Sequence, residues 1–154
     1  MPSIELTKEN FADVVSGAGM TIIDFEGPRC GRCRAFGPVF EQVSHNHSDA
    51  VFGTVDTEAQ PELAALFRVM SLPTLVIMRK GLMLYCKPGA LPLEDLEELV
   101  DGARALDLDD VLRKRAARHR PEAAPSRAAP QSRRLRAVNP QPEHSFGSPK
   151  PSAT

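Results

Sequence analysis

The sequence contains no tryptophan, a single tyrosine and only three cysteines. Three unevenly spaced cysteines are too few for the disulfide framework that staples small secreted domains. Met1 to Asn10 carries early acidic residues and no apolar core of a secretory leader. No run approaches the roughly 20 apolar residues that a membrane-spanning helix needs. No membrane span and a cytoplasmic location are the expectations. There is one C-x-x-C pair, Cys30 and Cys33, and no second one. His45 and His47 fall at the far end of the helix that follows it. A four-ligand zinc site therefore lacks half its ligands. Nothing selects an iron–sulfur cluster, and neither a metal nor a cofactor is expected.

What the sequence does contain is divided by charge. Residues 1–112 hold 9 Lys/Arg against 18 Asp/Glu, and residues 113–154 hold 10 against 2. The net charge of -1 thus conceals an acidic domain and a basic tail. Hydrophobic residues make up 42% of the chain, enough for one folded domain with a core of its own. We read residues 1–112 as that domain. Arg113 to Arg120 is basic, with alanines that permit helix, and Pro, Ser, Ala, Arg and Gln dominate from Pro121 onward; residues 113–154, with seven of the 14 prolines, read as a disordered extension. Its arginines attract phosphate nonspecifically, but it lacks aromatic interleaving and any nucleic-acid-binding motif, so no specific nucleic acid is expected.

The periodicity of apolar residues predicts the order α-β-α-β-α-β-β-α. A helix is expected over 8–16, with Thr7 near its start and Phe11, Val14 and Val15 on its stripe. A buried strand follows over 20–25. The next helix spans 33–46 with Phe36, Val39, Phe40 and Val43 on its apolar side, and Pro38 inside it should kink it. A strand over 50–55 and a short helix over 61–67 come next. Strands over 74–78 and 82–86 flank a turn at Arg79-Lys80-Gly81. The last helix is expected over 92–108, with acidic residues at its N-terminal end and Gly102 as a weak point. This alternation implies an α/β fold with a central mixed sheet and helices on both faces.

The chemistry concentrates where the first long strand meets the second helix. Cys30 lies just before that helix, where free backbone N–H groups stabilise a thiolate. Arg29, Arg32 and Arg34 add positive charge, which favours the thiolate further. Cys30 is therefore the expected nucleophile in disulfide exchange, and Cys33, one turn on, the resolving thiol. Two intervening residues let the helical turn bring the sulfurs together as a Cys30–Cys33 disulfide. Asp24 interrupts an apolar strand. A carboxylate there is costly to bury, and burial raises its pKa toward neutrality, which suits it to take a proton from Cys33.

Over roughly residues 4–110 the sequence resembles thioredoxin. The matches are Asp24-Phe25, Cys30-Gly31-x-Cys33, Pro38, Val55-Asp56, Leu72-Pro73-Thr74-Leu75, Gly81 and Gly89. A lone C-x-x-C is a weak motif, but in this company it is specific. The resemblance implies a thioredoxin fold and assigns Cys30, Cys33 and Asp24 the roles given above. It implies a cis Pro73 facing the dithiol, with the backbone at Leu72 pairing with an extended substrate segment. Gly31, Arg32 and Gly89 join Leu72 as expected substrate contacts. The implied partners are proteins with disulfides and a thioredoxin-reductase-like electron donor, with the chain acting as a monomer.

The departures sit in the active-site stretch itself. The family's usual tryptophans are replaced by Glu26 and Arg29, and its proline between the cysteines by Arg32. Flat apolar surface beside the thiols is lost, and a charge replaces a rigid ring. A lower Cys30 pKa and a more oxidising couple are the expected result. The leading reading is a protein-disulfide reductase. The alternative is a binding or scaffold protein with a regulatory or vestigial dithiol. Cys86, in an apolar strand, reads as a packed small hydrophobe. His45, His47 and Asp49 read as a solvated turn.

Overall fold

A computed structural model describes residues 2–119 of the chain. The fold is that of the compact unit ending at Leu112. Its elements are β1 (Ile4–Glu5), α1 (Phe11–Gly17), β2 (Met20–Glu26), α2 (Gly31–Asn46), β3 (Val51–Asp56), α3 (Pro61–Leu66), β4 (Thr74–Arg79), β5 (Leu82–Pro88) and α4 (Leu93–Ala105). α5 (Leu108–Arg118) follows.

The five strands form one mixed sheet in the order β1-β3-β2-β4-β5. β3 pairs parallel with β1 and with β2, and β4 pairs antiparallel with β2 and β5. β2 is central and buried along almost its whole length. Its side chains alternate between two cores, as the period of two requires. Met20 and Ile22 pack with Phe36, Phe40 and Val43 of α2 and Leu96 and Val100 of α4. Ile23 and Phe25 face the other way, against Leu63, with Phe11, Val14 and Phe67 at the margin from the α1 and α3 side. Helices therefore cover both faces. This is the mixed sheet with helices on both faces expected from the element order, and the thioredoxin fold that the resemblance implied.

Differences from the expected elements lie at the ends. The short β1 was not expected; it joins the sheet through two register positions on β3. Leu6, just after it, is fully buried against Gly53, where an added Cβ would lie 2.4 Å from Leu6 Cδ1. The first helix begins at Phe11 rather than at residue 8. The Thr7 hydroxyl does not cap it; instead the Thr7 N–H donates to Asn10 Oδ1 at 2.8 Å. α2 continues through Pro38. The last helix is two helices. α4 stops not at Gly102 but where Leu106 turns extended, and Asp107 Oδ1 then accepts the N–H groups of Asp109 and Asp110 to start α5. α5 carries on through Arg113 to Arg118, the part of the tail whose alanines permit helix. The rest of the expected disordered tail, from residue 120, lies outside the described residues. Lys80 and Gly81 both take positive φ, the geometry that a tight two-residue hairpin turn demands.

Candidate active site

The centre of the sheet delivers the dithiol. β2 ends at Glu26, and Gly27 to Arg29 cross to the start of α2. Cys30 is the N-cap of α2, and Cys33 lies in its first turn. The Cys30 and Cys33 sulfurs form a disulfide, with Cα atoms 5.2 Å apart. The Cys33 N–H donates to Cys30 Sγ at 3.1 Å. That donor belongs to the first turn of α2, where free backbone N–H groups can stabilise negative charge. Cys30 is partly exposed, whereas Cys33 is buried. Gly31, Arg32, Arg29 and Arg34 are exposed around the pair.

The segment before β4 comes up beside this loop. Phe25 and Thr74 are register partners in the antiparallel β2–β4 pair. That pairing brings the residues flanking them together. A Cβ on Gly27 would lie 2.9 Å from Leu72 Cδ1, so the active-site loop lies close against the Leu72 side chain. The Leu72–Pro73 peptide is cis. The Gly89 N–H donates to the Pro73 carbonyl at 2.8 Å, and Gly89 takes a φ of +114°. Cys30, Leu72, Pro73 and Gly89 thus belong to one end of the sheet. Pro73 is buried, Leu72 is half-buried, and Gly89 is exposed. Met70, two residues before Leu72, is 94% exposed, and nothing in the local sequence pattern marks it.

Asp24 is fully buried, and neither carboxylate oxygen has a hydrogen-bond partner among the described residues. It shares the face of β2 that carries Ile22, which is the face α2 covers. Burial pushes its pKa up from 3.8 to about 7, and the charge of Glu26 pushes in the same direction. Glu26, two residues on, lies on the same face, and its β3 register partner is Asp56. Burial raises the Glu26 pKa, and Asp56 raises it further. Glu26, Asp56, Cys33, Arg34 and Gly37 are among the residues that line an open cleft of about 470 Å³ beside Cys33. This carboxylate cluster was not legible as a cluster in the sequence. The signal was the spacing of Asp24 and Glu26 by two within a strand, but their link to Asp56 needs the parallel register.

The expectation of a solvated turn at His45, His47 and Asp49 fails for His47, which is only 7% exposed. Its ring stacks on Phe52, and its Nε2 lies 3.1 Å from Glu97 Oε2. Arg104 NH2 lies 2.8 Å from its Nδ1 and 2.8 Å from Asp49 Oδ1. The residue clasps the end of α2 to α4, because its apolar ring face and two polar nitrogens each find a partner there. Among the described residues no three His, Cys, Asp or Glu are grouped as a metal site. Cys86 is half-buried against the core on the α1 and α3 side. Among the described residues no helix is long and apolar enough to cross a membrane.

With this geometry in hand, the comparisons with known proteins agree on one family. The thioredoxin family model matches residues 2–102. A Streptomyces coelicolor protein assigned as thioredoxin 2 is 48% identical over 109 residues, spanning 71% of this chain and 81% of that protein. Thioredoxin C-3 of Corynebacterium nephridii is 38% identical over 99 residues, spanning 64% of this chain and 68% of that one. Among solved structures, a thioredoxin variant from Halobacterium salinarum superposes with a TM-score of 0.63 at 25% identity, covering 69% of this chain and 93% of its own. Plasmodium falciparum thioredoxin does so with a TM-score of 0.60 at 25% identity, covering 65% and 97%.

Proposed function

The chain belongs to the thioredoxin family, and on that premise we propose that it is a thiol–disulfide oxidoreductase acting on protein disulfides. The observation that carries this reading is the Cys30–Cys33 disulfide at the head of α2, with one sulfur accessible and the other buried. In the reduced protein the Cys30 thiolate attacks a substrate disulfide. One substrate sulfur leaves as thiolate, and the other stays bonded to Cys30. Cys33 then attacks Cys30, giving its proton to Asp24. The Cys30–Cys33 bond forms, and the second substrate sulfur departs reduced. Two electrons pass from the dithiol to the substrate.

The backbone at Leu72, beside the cis Pro73, is where an extended substrate strand would pair, with Gly31, Arg32 and Gly89 around it. Their placement at one end of the sheet supports this assignment. A thioredoxin-reductase-like flavoprotein would return the electrons, in a reducing cytoplasmic setting, with the protein working as a monomer. Arg32 and Arg29 give the rim a positive charge in place of an aromatic surface, so partners with acidic surroundings at their disulfide fit it best.

Insulin-disulfide reduction driven by a chemical dithiol tests the activity. The wild-type chain is expected to accelerate it, and Cys30→Ser to abolish the acceleration. A wild-type protein that does no better than Cys30→Ser with any reductant would favour a thioredoxin-fold binding protein instead.

A further inference from the structure

Beside Asp24, which the exchange reaction uses, stand two further carboxylates, Glu26 and Asp56, that it does not. Asp24 is sealed from solvent with both oxygens unpartnered. Glu26 is on the same strand face, one side-chain step nearer the end of β2, and lines the cleft that opens beside Cys33. Its main chain is pinned, because the Thr57 N–H and hydroxyl both donate to the Glu26 carbonyl, at 2.9 and 3.1 Å. Asp56, its register partner, is held in turn by the N–H groups of Glu58 and Ala59. The titratable and charged groups that face Glu26 are Asp24 from β2, Asp56 from β3, and Cys33 and Arg34 from α2.

We propose that Glu26 is a positioning residue through which the buried Asp24 exchanges its proton with solvent in the cleft. The inference rests on the dithiol exchange proposed above. When Cys33 attacks the mixed disulfide, its S–H bond breaks and the proton goes to the Asp24 carboxylate. The Cys33 electron pair forms the bond to Cys30 Sγ, and the bond from Cys30 to the substrate sulfur breaks. That sulfur leaves with the electron pair and takes a proton from water. Asp24 must then lose its proton before it can accept another, and among the described residues no polar partner hydrogen-bonds to it directly. Glu26, close enough to raise the Asp24 pKa by its charge and open to the cleft, passes the proton to bulk solvent. Burial, and then the charge of Asp56, keep Glu26 a better proton acceptor than an isolated glutamate, and Arg34 lines the same cleft.

Two measurements on the full chain test this. The first is a carbon-detected NMR titration of Asp24 in the reduced protein, which needs no activity. Glu26→Gln is expected to lower the Asp24 midpoint by roughly half a pH unit or more, because a like charge has gone. The second follows reduced protein mixed with a chromogenic aromatic disulfide. The first coloured thiol marks attack by Cys30, and the second marks resolution by Cys33. Below about pH 7, where Asp24 starts the turnover protonated and must first lose that proton to accept the one from Cys33, Glu26→Gln is expected to slow the second phase about tenfold or more while sparing the first. Added imidazole buffer should restore the rate in the variant and leave wild type unmoved, and Glu26→Asp should restore most of it. An unmoved Asp24 midpoint overturns the proposal, and so does a slowed phase that ignores buffer. A wild-type protein with no second phase would instead overturn the exchange reading, with the titration still deciding whether Glu26 and Asp24 are linked.

Discussion

Asp24 and Glu26 stand two residues apart on the same face of β2, and the charge of Glu26 adds to burial in lifting the Asp24 pKa to about 7. A group that holds its proton more tightly folded than unfolded destabilises the fold as pH rises. Below an unfolded value near 3.8 both states are protonated and the carboxyl costs nothing extra. Between there and about 7 the unfolded chain alone loses the proton, so stability falls with each pH unit.

Asp24→Asn mimics the protonated carboxyl at every pH. The variant should match wild type in stability near pH 4 and exceed it by up to about 4 kcal/mol at pH 8, since each pH unit crossed between the unfolded and folded midpoints costs the wild type about 1.4 kcal/mol. Urea unfolding at the two pH values checks this. An equal stability gap at both would mean that Asp24 does not titrate across the range.

Arg32 lies between the two cysteines on the exposed first turn of α2. Its charge favours the Cys30 thiolate, and so the reduced form, through solvent that screens it partly. The couple should be more oxidising than the roughly -270 mV typical of thioredoxin, and Arg32→Pro should make it more reducing by some tens of millivolts. Equilibration with a glutathione or dithiol buffer measures both. A wild-type value as low as ordinary thioredoxin's would contradict the electrostatic role given to this stretch.

Gly53 holds β3 against the fully buried Leu6, with an added Cβ 2.4 Å from Leu6 Cδ1 and 2.6 Å from its Cγ. The clash reaches the branch point of the side chain, so a simple rotamer change does not relieve it. Gly53→Ala should cost about 1–3 kcal/mol by overpacking. In Leu6→Ala the same substitution should cost much less, because the space is then free. Denaturation of the four proteins of this double-mutant cycle gives the coupling, and additive effects would contradict the close approach.

The parts of the molecule legible in the sequence are those set by local pattern. The buried run through Ile22, Ile23 and Phe25 fixes β2, Lys80-Gly81 fixes the hairpin, and Cys30 and Cys33 at a strand-to-helix junction fix the dithiol. Asp24 stands out because a charge inside an apolar run is rare. What escapes a reading of the sequence depends on distant partners. β1 is two residues whose only support is β3, nearly fifty residues away. His47 looks polar in the chain and is buried only because Phe52, Glu97 and Arg104 converge on it. The Glu26–Asp56 pair exists only through the parallel register of β2 and β3. Asp107 carries the local signal for a second helix, a capping residue after Leu106, but the acidic and apolar pattern runs on across it.

The division of labour between an accessible Cys30 and a buried Cys33 is tested most directly by trapping. Reduced Cys33→Ser is incubated with a disulfide-containing protein, and the products are separated without reductant and weighed by mass spectrometry. A stable covalent adduct attached through Cys30 is expected, one that wild type resolves and Cys30→Ser does not form. An adduct attached through Cys33 in Cys30→Ser as readily as through Cys30 in Cys33→Ser would contradict that division.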